Sequence, residues 1–458
     1  MAQISTIKYS DVLEARRYDA EYFKPEYLAV EKEITTIGYL ELGNKKASLL
    51  ITDGDHGNPE YSDDKNDICY IKVEQLGDID IELLNSPRVT KACAKYQSKT
   101  NFTEKFDILL SMKGTIGKTC IVIDETPAIL NRDVAKIQIN KELLNPFYVL
   151  VYFKTRLGKS FTEKFASGAV QRGLYLNKIQ KIKIPLLPLT FQSQIEDSVK
   201  EAYQKQTESK QLYQEAEELF LTEIGLSGYK VKNALAFETT KKEIDEAGRY
   251  DSEYFQPKYE EIIEKVEKYD GGFDVVGQII DFKDRNFTPK LDKRYKYLAL
   301  SNVSSQGYIQ DYQEELGKDL PSRARRKINT GDIIISSIEG SLSSCALVEE
   351  EFDDSLCSTG FFVINSGKIN SETLLILFKS NIIQELMQRG SKGTILTAIS
   401  KSELEQIKIP VVKLDIQKQI AAKIQESHKL RKESKELLEE AKKKVEEEIE
   451  RLSLSGRE

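Results

Sequence analysis

The chain repeats itself once, and that repeat limits the possible folds more than any other feature. Arg17-Tyr18-Asp19-Ala20-Glu21-Tyr22-Phe23-Lys24-Pro25-Glu26-Tyr27 returns as Arg249-Tyr250-Asp251-Ser252-Glu253-Tyr254-Phe255-Gln256-Pro257-Lys258-Tyr259, identical at eight of eleven positions. Asp107-Ile108-Leu109-Leu110-Ser111 matches Asp332-Ile333-Ile334-Ile335-Ser336, and each is followed by a glycine loop, Lys113-Gly114-Thr115 and Glu339-Gly340-Ser341. Ile182-Lys183-Ile184-Pro185 matches Ile407-Lys408-Ile409-Pro410, and Gln192-Ser193-Gln194-Ile195 matches Gln417-Lys418-Gln419-Ile420. The order is the same in both halves, so the 458 residues form two versions of one unit.

Each half predicts a short helix that begins near the proline and carries the Tyr/Phe motif, then β-branched strands and loops. A helix over Phe147–Lys159 or Glu372–Gln388 follows, then a short strand ending at I-K-I-P, then a long helix. In the long helices, Val199/Ile424, Ala202/Ser427, Gln206/Arg431, Ser209/Ser434, Tyr213/Leu438, Ala216/Ala441, Phe220/Val445 and Ile224/Ile449 form one 4-3 stripe. Small residues at alternate seam positions favour helix-on-helix packing, with a helix lying on its own domain as the alternative. Gly225-Leu226-Ser227-Gly228 supplies stop residues, and the polar stretch up to Arg249 reads as a linker. A helix of about 30 residues spans roughly 45 Å.

With 40% hydrophobic and 31% charged residues, the chain has the profile of a folded, water-soluble protein. Apolar runs such as Phe147 to Phe153 are too short to span a bilayer. The N-terminus shows no secretory pattern, so a cytoplasmic location is expected. Cys69, Cys93, Cys120, Cys345 and Cys357 have neither zinc nor disulfide spacing, and Cys120 and Cys345 read as buried strand residues. The net charge of −7 is unevenly spread: 22 basic against 18 acidic residues over 41–195, 11 against 18 over 196–269, and 19 against 21 over 270–420. A nucleic-acid reader needs a local basic face rather than a basic whole.

No catalytic constellation emerges. Gly114-Thr115-Ile116-Gly117-Lys118-Thr119 lacks the first glycine of a P-loop, which leaves a loop between strands with Lys118 free to meet a phosphate. Asn145-Pro146-Phe147-Tyr148 is similar to the motif of exocyclic-amine methyltransferases, but a helix start with an Asn cap accounts for it and for Asn370-Ser371. Asp53-Gly54-Asp55-His56-Gly57 reads as a loop, because its counterpart near Arg285-Asn286 keeps no metal ligands.

Taken together, the R-Y-D-x-E-Y-F-x-P-x-Y segments, the D-I-[LI]-[LI]-S glycine loops and the I-x-I-P and Q-x-Q-I runs resemble type I restriction–modification specificity subunits over nearly the full length. Where that family commonly has Pro-x-x-Glu-Gln, this chain has Phe191-Gln192 and Ile416-Gln417. The resemblance implies an α/β (α+β) fold with two tandem target-recognition domains, separated by two long helices in an antiparallel coiled coil. On this chain the first domain would occupy 1–195, its helix 196–228, a linker 229–248, the second domain 249–416 and its helix 417–454.

It also implies a non-catalytic chain. Each domain would read half of an interrupted double-stranded DNA site, and a 45 Å rod corresponds to about 13 base pairs at 3.4 Å per step. Two methyltransferase subunits would use S-adenosylmethionine to methylate adenine, and restriction subunits would use ATP and Mg²⁺, with no cofactor in this chain. Expected DNA contacts are Lys113, Thr115, Lys118, Gln171 and Arg172 on polar loops of the first half, with Arg323, Arg325, Arg326, Lys327, Ser341, Lys392 and Thr394 as the second set. Arg suits guanine and Gln suits adenine, whereas the Arg323 to Lys327 run suits phosphate. The plain alternative for each is a solvated surface group. Tyr18, Tyr22, Phe23, Tyr250, Tyr254 and Phe255 are expected to pack each motif onto its own domain. A single-chain methyltransferase or nuclease, a duplicated protein–protein scaffold and a related phage-defence assembly remain as alternatives.

Overall fold

The structure is a computed structural model and describes residues 4–84, 86–168, 172–283, 286–304, 306–392 and 397–455. The chain divides into two units, Met1–Gln206 with Arg431–Glu458, and Thr207–Leu430. Both mix helix and sheet in the same way.

The central antiparallel sheet of the first unit orders its strands as Ser48–Asp53, Val134–Ile139, Ile108–Ser111 and Thr119–Ile121. The second unit repeats this order with Asp281–Phe282, Phe361–Asn365, Ile333–Ser336 and Cys345–Leu347. The D-I-x-x-S strands are buried along their whole length because they are interior, with a helix on one face and a second sheet beyond the other. Cys120 and Cys345 are fully buried in the hairpin partner strands, as expected, and burial pushes both thiols up to about 12.

The second sheets share a parallel pair, Ile68–Ile71 with Ala128–Leu130 and Arg294–Leu298 with Leu356–Ser358. Their edges differ. The first unit adds Tyr61–Ser62 outside Arg88–Val89, whereas the second adds Ala324–Lys327 outside Leu356–Ser358.

The single helix expected after the sheet is two helices in each unit: Pro146–Lys154 with Arg156–Phe165, and Ser371–Lys379 with Asn381–Gly390. Thr155 and Ser380 make the break. Each is extended, returns its hydroxyl to a carbonyl three residues back, and caps the next helix by accepting the N–H of Gly158 or Ile383. Asn145 and Asn370 cap the preceding helices, as their sequences indicated. The I-K-I-P strands pair antiparallel with Tyr39–Glu41 and Phe273–Val275.

The long helices run Leu189–Glu223 and Leu414–Ser455. Leu226 N–H returns to Leu221 O at 2.7 Å, and Gly225 adopts φ +70°, the left-handed end that glycine permits. Within the first unit, Ile195, Val199 and Ala202 share a core with Leu438, Ala441, Val445, Ile449 and Phe147 to Phe153. Within the second unit, Ala216, Phe220 and Ile224 share one with Ile420, Ile424 and Leu374 to Phe378. Each stripe therefore buries itself on the other long helix and on a domain at once. The contacts run antiparallel: Ala202 O accepts Ser434 and Lys205 pairs with Glu433 in the first unit, while Ser209 meets Ser427 and Glu215 meets Lys423 in the second.

The short helix begins at the proline, as expected, Pro25–Ile37 or Pro257–Glu267, and carries Tyr27 or Tyr259, whereas Tyr18, Tyr22 and Phe23, or Tyr250, Tyr254 and Phe255, lie before it. Phe23 is buried, but Tyr18 and Tyr250, expected to pack onto their domains, are 77% and 85% exposed. The local geometry explains this. Arg17 Nε and Nη2 fork onto Asp19 at 2.5 and 2.9 Å, Asp19 accepts the Tyr22 N–H, and Arg17 lies over the Tyr22 ring. Arg249, Asp251 and Tyr254 repeat the arrangement. The fork turns the residue between its prongs outward.

Candidate nucleic-acid interface

In both units one buried serine shapes the glycine loop. Ser111 ends its strand, donates to Thr115 O, and accepts the Lys118 N–H at 2.8 Å. Ser336 accepts the Ile338 N–H at 3.1 Å and lies 2.8 Å from the Ser341 hydroxyl. The 112–118 segment is thus a loop joining two strands, the reading that displaced the P-loop.

A second segment is pinned beside each loop. In the first unit Leu174 N–H donates to Met112 O at 2.8 Å, next to the Ser167–Gly173 bridge. In the second, Ile399 N–H donates to Ser337 O and Glu339 N–H to Thr397 O, next to the Ser391–Lys392 and Ala398–Ile399 hairpin. Lys113, Thr115, Lys118 and Arg172 therefore meet at one end of the first unit. Thr115 and Arg172 are exposed. Lys113 pairs with Asp133 at 3.2 Å, and Arg172 donates to Glu163 O at 3.1 Å. Gln171 and Thr394 lie outside the described residues.

In the second unit Arg323, Ser341 and Lys392 come together. Thr359 N–H donates to Arg323 O and Ser337 N–H to Gly360 O, which draws Arg323 to the loop. Ser341 spends its hydroxyl on Ile338 O and Ser336. Arg325, Arg326 and Lys327 are not on a loop: they form the outer strand Ala324–Lys327 and lead away from this end, because pairing with Leu356–Ser358 extends them. Lys327 is engaged by Asp354, and that pairing holds the Asp354 carboxyl below the usual carboxylate range. Arg325 Nε donates to Ser322 O at 3.0 Å. The run of four cations is therefore split between a loop end and a strand.

Sequence reasoning passed over Tyr175, Asn177 and Lys178, which with Asp53 and Met112 line a cleft of about 440 Å³ beside Arg172. Burial, then the neighbouring cations Lys181 and Arg17, lower the Lys178 amine below its ordinary value, which marks a positive locale. Their position just after Arg172 was the available signal. Elsewhere, His56 Nε2 lies 2.9 Å from Asp53 and is largely exposed, as a loop histidine would be. Among the described residues no group of three His, Cys, Asp or Glu side chains is placed to hold a metal ion, and no helix is long and apolar enough to cross a membrane.

The chain is similar to solved specificity subunits at low identity. The type I restriction–modification S subunit from M. genitalium is 13% identical, with 91% of this chain and 95% of that chain covered and a TM-score of 0.41. The HsdS subunit from Thermoanaerobacter tengcongensis is 12% identical, with 92% and 96% covered and a TM-score of 0.27. A family model described as the type I restriction modification DNA specificity domain matches residues 58–218 and 273–444, one match per repeat and most of the chain. This chain belongs to the type I restriction–modification DNA specificity family and is the DNA specificity subunit of such a system.

Proposed function

We propose that each unit reads one half of a two-part double-stranded DNA site through the loop end that carries Lys113–Lys118 and Arg172, or Ser341, Lys392 and Arg323. Modification subunits bearing S-adenosylmethionine methylate adenine in each half-site, and restriction subunits supply ATP- and Mg²⁺-dependent cleavage, so this chain supplies recognition and no bond-making chemistry. It works in the cytoplasm, where those partners meet DNA.

One observation carries the reading. The frame that presents the loops is the same in both units, while the side chains at the tips differ. A buried serine, a pinned second segment and an identical central strand order recur. One loop carries Lys113, Thr115 and Lys118 where its counterpart in the repeat carries Glu339 and Ser341. A repeated scaffold with unlike tips suits a site whose halves differ in sequence, since base-edge contacts specify and the scaffold only positions.

The test is long-read methylation mapping in a host carrying this chain with its modification subunit. A two-part motif with a fixed gap, lost on deletion of the chain, supports the reading. Replacing 112–118 with the 337–343 loop should change one half of the motif only. A methylome unchanged by the deletion, with an active modification subunit, overturns it.

A further inference from the structure

The first unit leaves polar side chains unspent at a place where the second uses them up. Leu174 and Ile399 occupy the same position in the repeat, each pinned to its glycine loop. A short helix follows in both units, Leu176–Ile179 and Lys401–Glu405. In the second unit Ser400 caps that helix by accepting the Glu403 N–H at 3.2 Å, and its hydroxyl lies 3.0 Å from that of Ser402. In the first, Tyr175 and Asn177 stand at those two positions, and no side chain caps the helix. The Tyr175 hydroxyl, the Asn177 carboxamide and the Lys178 amine make no hydrogen bond or ion pair among the described residues. A chain that forgoes a cap and keeps three polar groups unpartnered departs from local rules, and such departures gather at functional sites.

The surroundings of these groups point to the ligand. All three residues line the cleft of about 440 Å³ together with Met112, the first residue of the glycine loop. Tyr175 lies against Gly173 and Lys113: a methyl group on Gly173 would sit 3.6 Å from the tyrosine ring and 3.7 Å from Lys113 Cγ. The cleft thus belongs to the same end of the unit as Lys113 and Arg172. Those two cations already hold Asp133 and Glu163 O, whereas Asn177 is exposed and unspent. Asp53, the carboxylate that lines the cleft, is held by His56 at 2.9 Å. Lys178 lies near Lys181 and Arg17, a setting that suits a phosphate. A carboxamide presents a donor and an acceptor side by side. In the major groove adenine alone matches it, with the acceptor N7 beside the donor N6.

We propose that Asn177 is a specificity-determining residue of the first unit, which reads the major-groove edge of an adenine in its half-site, with Lys178 on a neighbouring phosphate. The inference rests on the reading of the loop ends as the DNA-facing surface, and it assigns a base to a residue outside the glycine loop. The second unit, with Ser402 in that place and its hydroxyl engaged, reads its half-site without this contact.

The experiment uses the full chain assembled with its modification subunit. Methylation is mapped by long-read sequencing, and binding is measured by competition among duplexes in which each pair of the first half-site is replaced in turn. The wild-type complex should prefer A·T at one position by about 10-fold or more. Asn177→Ala should remove that preference and leave the gap and the other half of the motif as they were. Asn177→Asp should also lose adenine, since a carboxylate has no proton to donate to N7. Lys178→Met should weaken all duplexes alike and leave the motif unchanged. An unaltered motif and an unaltered preference in Asn177→Ala overturn the inference. So does loss of all methylation by both Asn177 variants, which would make the residue a contact needed for folding or assembly. If deleting the wild-type chain leaves the methylome unchanged, the functional reading fails. If the deletion abolishes the motif but the Asn177 variants still set it, this inference fails alone.

Discussion

Asn145 N–H donates to Gln192 Oε1 at 2.7 Å, and Gln192 Nε2 donates in turn to Leu143 O at 3.1 Å and Leu187 O at 2.8 Å. Asn370 and Gln417 repeat the clamp through Lys368 O and Val412 O. Both glutamines are buried, so their amides fasten the start of the sheet-covering helix to the start of the long helix. Gln192→Leu should cost about 3 kcal/mol, since it strands buried backbone groups as well as losing bonds. Gln417→Leu should cost the same in the other unit. Hydrogen exchange of the 146–154 helix reads this locally, because a chain of two units need not unfold in one step. Unchanged protection would mean that the clamp is not structural.

Lys154 and Lys379 are equivalent half-buried lysines that donate to Thr119 O and Ser343 O, each at 2.8 Å, tying a helix to the hairpin below the candidate interface. Burial is the main cause that lowers both amines from the ordinary value of 10.5. Just below pH 10.5 the unfolded chain thus binds more protons than the folded one, so stability from these residues rises with pH in that window. Lys154→Met removes the titrating group. Relative to the variant, the wild-type chain should gain stability between pH 8 and pH 10, as followed by urea unfolding at both values. Parallel curves would contradict this.

The split of the basic run separates two variants that composition treats alike. Arg323 is exposed beside the loop and makes no ion pair among the described residues, whereas Lys327 already holds Asp354 on the outer strand. Arg323→Ala should weaken DNA binding by the assembled complex and reduce the slope of log affinity against log salt by about 0.9, one phosphate's worth. Lys327→Ala should change the slope little. A salt titration with both variants decides, and a larger effect at Lys327 would place the DNA along the strand instead.

What was legible in the sequence was local. Asn145-Pro146 states a helix start by itself, the D-I-x-x-S runs state buried strands, and the 4-3 stripe states a packed helix. The illegible parts depend on distant partners. Ala324–Lys327 is a strand only because Leu356–Ser358 lies beside it, and the parallel pairing of Tyr297 with Leu356 joins residues far apart in sequence. Thr155 and Ser380 look like ordinary helix positions until their hydroxyls are seen to cap the next helix. Tyr18 misled for another reason: its residue type suggested packing, while the fork of its two neighbours decides where it points.

The seam of the long helices contains its own control. Ser209 donates to Ser427 O at 2.7 Å, and Ser427 donates to Ser209 O at 2.8 Å. At the equivalent place in the first unit, Ser434 donates to Ala202 O at 2.6 Å, with alanine standing where Ser427 would be. One hydroxyl and one small side chain are therefore enough for this crossing. Ser427→Ala should cost about 1 kcal/mol or less, because the remaining bond reproduces the Ser434–Ala202 arrangement. Ser427→Leu introduces three more carbons where two backbones are within hydrogen-bond reach of each other's side chains, and overpacking of this kind costs about 1–3 kcal/mol or more. Thermal unfolding of the two variants should rank them in that order. A tolerated leucine would mean that close approach of the backbones does not select small residues at this seam.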